Sequence, residues 1–135
     1  MKSLLELFGV IYLRFRPVPR VWCVWLVAVN AACLIYITHI EAQVVLAVTG
    51  IAVLLQTLMY QHCGFIRLLG IVHVMWIPMF AWMATRLDVI EQNPEMLAWL
   101  ALLFATNAVS FVVDAIDSYR YFNGECEPHY YWAKV

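Results

Sequence analysis

Four polar residues interrupt otherwise apolar runs of this chain: Asn30, Gln56, His73 and Asn107. Counted from the basic ends of those runs at about 1.5 Å per residue, Asn30 falls about 14 Å deep, His73 about 12 Å, Gln56 about 6–9 Å and Asn107 about 9–14 Å. Each run therefore contributes one amide or imidazole to a shared band. Hydrocarbon offers such groups no partners, so they are expected to turn inward toward one another. The band reads either as a hydrogen-bond network that fixes helix register or as a buried polar pocket with His73 as its titratable member. A neutral imidazole there suits a polar headgroup, a quinone carbonyl or a haem iron. Ligation of haem by two histidines needs a second imidazole at similar depth, and His39 and His62 fall at opposite membrane faces. The sequence assigns no cofactor.

A second set, Arg67, Asp114, Asp117 and Arg120, gathers charge at one membrane boundary. Asp117 and Arg120 are three apart and can pair on one helix face. Asp114, at the edge of the lipid, is expected to reach Arg67. Asn123-Gly124 reads as a helix stop. A third set, His62, Cys63, Cys126 and His129, contains the donor types of a Cys₂His₂ zinc site. Adjacent His62 and Cys63 make an awkward chelating pair, however, and a single C-x-x-H spacing is common by chance.

Catalysis finds no footing here. Ser110, Cys33 and His73 have no nucleophile–base context, and no phosphate-binding loop, dinucleotide fingerprint or H-E-x-x-H occurs. A net charge of −1 and the lack of a basic cluster interleaved with aromatics argue against nucleic acid as a partner.

The elements that must position these residues are four apolar runs, over residues 21–40, 42–60, 65–84 and 96–113. Each approaches the ~20 residues that a helix needs to cross a ~30 Å hydrocarbon layer. At 65% hydrophobic residues the chain lies well above the composition of a soluble domain. The expected fold is an all-α integral membrane protein forming a single unit. Short links at residues 39–43, 61–64 and 86–95 make consecutive helices antiparallel neighbours, an up-down-up-down four-helix bundle. Seven of the eight Lys and Arg residues fall on one side, with only Arg86 opposite. By the positive-inside rule both termini are cytoplasmic in a multi-pass protein of the plasma (inner) membrane. On that reducing side structural disulfides are not expected.

Residues 1–20 read as an amphipathic interfacial segment with Leu4, Leu5, Leu7, Phe8, Ile11 and Tyr12 toward lipid, rather than as a signal peptide. Residues 114–135 form an aromatic cytoplasmic tail, expected to fold back along the membrane or to dock a partner. Ala98, Ala101, Ala105 and Ala108 make a small-residue stripe, read first as a packing seam within the bundle and second as a homodimer seam. Pro78 predicts a kink by depriving the Val74 carbonyl of its helical donor. The leading expectation for function is a small non-catalytic membrane protein acting through partner binding, as an accessory subunit or an assembly or immunity-type factor. Its partners would be membrane lipid and a membrane protein or a second copy. Two alternatives stand beside it: a small oligomeric transporter or channel with a polar layer around His73, and a membrane enzyme or binding protein for a lipid, quinone or haem.

Overall fold

A computed structural model describes residues 2–130. Tyr131 and Trp132 of the aromatic tail, and Lys134 of the cation count, lie outside the described residues. Helix α1 (Lys2–Gly9) runs into a π-helical turn, Val10–Arg14. Helix α2 (Pro17–Ala31) begins with proline at its first position, where the missing N–H has no helical role, and tightens to 3₁₀ over Ala32–Tyr36. Helix α3 spans Ile40–Cys63 and stops at Gly64, whose φ of 72° lies in the left-handed region. Next come a 3₁₀ segment, Arg67–Met75, its continuation α4 (Trp76–Ala84) and the short α5 (Leu87–Ile90). Helix α6 (Pro94–Phe122) starts on Asn93, whose side chain accepts the Met96 N–H at 3.1 Å. It ends in a Schellman turn, with Gly124 N–H on the Tyr121 carbonyl and Glu125 N–H on that of Arg120.

Four of these helical stretches are long and apolar enough to cross a membrane: Pro17–Tyr36, Ile40–Cys63, Arg67–Ala84 and Pro94–Phe122. They pack on one another as a helix bundle, and no β-strand forms among the described residues. The surface supports the same conclusion. Large apolar side chains such as Leu34, Ile35, Leu54, Ile77, Phe104 and Val112 stand more than half exposed along the spans. In water such a surface would be an aggregation hazard, whereas lipid covers it at no cost. This is a multi-pass membrane protein. Its core, including Val29, Cys33, Val45, Trp76, Met79, Trp99 and Leu103, lies between the spans.

The fourth helix continues past residue 113 through Phe122 and stops at Asn123-Gly124, where the sequence places a helix stop. Two expectations are corrected. In the N-terminal segment Leu7 does not face lipid. It is buried with Ile66 and Leu69, so α1 docks on the bundle's basic end. Finally, Ala98, Ala101, Ala105 and Ala108 are all exposed, so the alanine stripe is no seam within the bundle. Larger residues of α6, Trp99, Leu103 and Thr106, turn inward instead.

The third span is unusual. Nine residues of 3₁₀ exceed the usual three or four. Pro78 accounts for where the change falls: it lies in the first turn of α4, where its missing N–H interrupts no α-helical ladder. With its 3₁₀ portion the span covers about 31 Å, where an unbroken α-helix of the same eighteen residues would cover about 27 Å. Only the longer form matches a ~30 Å hydrocarbon layer without tilt or thinning.

Candidate functional site: a polar chain across three helices

At 3.0 residues per turn, residues three apart eclipse. The 3₁₀ segment therefore sets Arg67, Gly70 and His73 in one line, with Trp76 at its end. That line faces α6. His73 Nδ1 donates to Asp114 Oδ2 at 2.6 Å, and on its other side His73 Nε2 meets Gln56 Nε2 of α3 at 3.2 Å. The Nδ1–H tautomer satisfies both contacts, donating to Asp114 and accepting from the Gln56 amide at Nε2. The second Gln56 N–H reaches the Leu69 carbonyl at 3.3 Å. Trp76 stacks on the imidazole at 4.1 Å with 13° between planes, and its own buried indole N–H has no partner among the described residues. Gly70 is what lets α6 come this close, for a Cβ there would collide with the Asp114 carboxylate.

Depth follows from the same geometry. His73 is six residues into the 3₁₀ segment, about 12 Å past Arg67 at ~2 Å per residue. Asp114, bonded to it, lies at the same level. Asp114 does not bond Arg67, the contact expected from sequence. Arg67 instead bonds Asp117 at 2.6 Å and Glu125 at 2.8 Å. The expected Asp117–Arg120 pair does not form either, because Arg120 takes the other Glu125 oxygen at 2.8 Å. Glu125, which the sequence reading left out, thus holds two guanidinium groups. Its carboxyl is held below the usual carboxylate range by the hydrogen bond from Arg120, with Arg67 adding to the effect.

This clasp ties down residues 123–130. His129 N–H bonds the Phe65 carbonyl at 3.0 Å, and Phe65 and Tyr130 form an isolated antiparallel bridge. Phe15 packs on both rings, at 5.3 and 4.8 Å. The tail therefore lies back against the start of the third span as far as it is described.

The other half of the expected band forms a separate network. Asn30 and Asn107, both buried, exchange bonds of 3.1 and 3.4 Å between α2 and α6, and Thr49 adds its hydroxyl at 3.3 Å. The expected single layer is thus two networks that share no hydrogen bond. Around the asparagines, Trp22 donates to Ser110 at 3.0 Å, Trp25 to Thr106 at 3.2 Å and Trp99 to the Val29 carbonyl at 3.0 Å. Trp22 and Trp25, which the sequence presents as aromatic anchors at the inner interface, thus have hydroxyl partners on α6. Only the shared polarity of Thr106 and Ser110 on the inner face of α6 hinted at them.

Of His62, Cys63, Cys126 and His129, the structure makes no ligand set. Among the described residues no group of three or more His, Cys, Asp or Glu side chains is placed to hold a metal ion. Cys63 and Cys126 are exposed free thiols. At the opposite end of the bundle Glu41, 2% exposed, bonds Arg86 at 2.7 Å, and Arg86 also lies over the Trp82 ring at 5.2 Å.

No protein-family model matches the chain, and no curated protein or solved structure matches it significantly.

Proposed function

We propose that the protein is a non-catalytic component of the plasma (inner) membrane, with cytoplasmic termini and spans running up-down-up-down, that acts by binding a membrane protein partner or a second copy of itself. One observation carries this reading: the α6 stripe of Ala98, Ala101, Ala105 and Ala108 is exposed along its whole length. Val112 and Ala115, also exposed, extend it with the same alternation of four- and three-residue steps. Membrane helices associate through such small-residue stripes, where backbones approach closely. Being exposed, these methyl groups are open to a helix from outside the chain. The charge asymmetry, seven cations against one, supports the orientation.

The test is the assembly state in lipid nanodiscs and in the native membrane after crosslinking. Ala101→Leu with Ala105→Leu is expected to abolish assembly while leaving the monomer folded, since both positions are open. Unchanged assembly in that variant would end the proposal.

A second reading, a small oligomeric transporter or channel, is favoured by the His73–Asp114 bond. Intramembrane carboxylates and imidazoles recur in proton and ion relays, and the sequence reading had no acid at this depth. Proton flux into liposomes, present in wild type and absent in Asp114→Asn, would support it; equal flux in both would remove it.

A further inference from the structure

Between the 3₁₀ segment and α6 lies a groove of about 160 Å³, walled by Ile71, Val74, Phe111 and Ala115, with Gly70, Asp114 and Ser118 along its floor. Ile71 and Val74 are exposed, so the groove opens on the lipid-facing surface. We propose that it binds an alkylammonium cation dissolved in the membrane, the nitrogen against Asp114 Oδ1 and the alkyl chain along Ile71, Val74 and Phe111. The site meets the α6 stripe at Ala115 alone and does not depend on what covers Ala98, Ala101, Ala105 and Ala108.

Charge comes first. His73 occupies Oδ2 alone, while Oδ1 lies over the Gly70 backbone and has no hydrogen-bond partner among the described residues. A carboxylate accepts more than one donor, so capacity remains. The nearest guanidinium on the same line, Arg67, is committed to Asp117 and Glu125. A bound ammonium would give Oδ1 its hydrogen-bond partner.

The walls decide the class of cation. Metal ions of the calcium or magnesium type need about six oxygen ligands, and the groove's side chains offer only those of Asp114 and Ser118. A phospholipid would bring a phosphate, and the lining holds no basic residue to meet it. Apolar walls with one carboxylate at the edge suit a single ammonium on a hydrocarbon chain.

The test is native mass spectrometry of the full chain in nanodiscs, with decylammonium as probe and decanol as neutral control. Wild type is expected to retain one decylammonium per chain, and Asp114→Asn at least tenfold less. Val74→Phe fills the groove away from the alanine stripe and is expected to lose the probe while the His73 side-chain ¹⁵N signals and the assembly state stay as in wild type. Equal retention by all three proteins would mean partitioning into lipid only and would overturn the proposal, as would decanol retention matching decylammonium. Should Asp114→Asn not fold, Val74→Phe decides alone. Unchanged assembly in the Ala101→Leu, Ala105→Leu variant, with the probe still retained, would end the partner reading and leave this one standing.

Discussion

His73 and Asp114, 41 residues apart in the chain, meet at 2.6 Å inside the membrane and join the 3₁₀ segment to α6. Removing the acceptor leaves a largely buried N–H unpaired, which costs about 1–3 kcal/mol. Asp114→Ala is expected to lose that much in a reversible unfolding measurement in detergent. Asp114→Asn keeps an amide oxygen as acceptor and should lose clearly less. Equal stability of all three proteins would show that the bond holds nothing together.

Gly70→Ala tests the same contact from the other side. The added methyl group collides with the carboxylate of a neighbouring helix, an overpacking defect that costs about 1–3 kcal/mol. The His73 Nδ1–H proton, far downfield while bonded to Asp114, should move or vanish in the variant. A Gly70→Ala protein with wild-type stability and an unmoved proton would contradict the close approach described here.

Asn30 and Asn107 form a neutral pair and should behave differently. A double-mutant cycle with Asn30→Leu and Asn107→Leu is expected to give a coupling of about 0.6 kcal/mol, and no more than about 1.7. Coupling near zero would mean that each amide is satisfied without the other.

Glu125 gives the pH dependence. Its folded carboxyl lies below the ordinary value, so the tail clasp contributes stability that is fully present above that ordinary value, about 4.3 for glutamate. The contribution is lost as the pH falls through the folded value. Protection of the His129 amide against hydrogen exchange should therefore be level above about pH 5, once exchange chemistry is corrected, and drop in the acid range below the free-glutamate value. Glu125→Gln should lower the protection at neutral pH and flatten the profile; an unchanged profile would exclude the clasp as its cause.

At the far end, Arg86→Ala strands a buried Glu41 carboxylate and is expected to cost about 3–5 kcal/mol in the same unfolding measurement. Glu41→Leu combined with Arg86→Met should recover much of that loss. A single variant as stable as wild type would show that Glu41 is hydrated rather than paired.

The spans and the Asn123-Gly124 stop of α6 were legible because hydropathy and capping are local properties. The polar partners were not, and the reason is periodicity. An α-helical reading turns Gly70 about 60° off the line through Arg67 and His73 fully 120° off it. The 3₁₀ pitch brings Arg67, Gly70, His73 and Trp76 together, and no single residue announces that pitch. The partner of Asp114 was hidden for a related reason: His73 lies on another helix, 41 residues away in the chain. The alanine stripe was visible in sequence, but its direction depends on which larger residues of α6 win the interior.

The 3₁₀ segment also acts as an overwound spring. Relaxing its nine residues to α pitch would shorten it by about 4–5 Å. With Arg67 held by Asp117 and Glu125, the same relaxation would swing His73 through about 120°, away from Asp114. The imidazole–carboxylate bond is thus the latch on a screw: its release would turn a change in one proton or one ligand into rotation between the spans and axial travel of α4 toward Arg67.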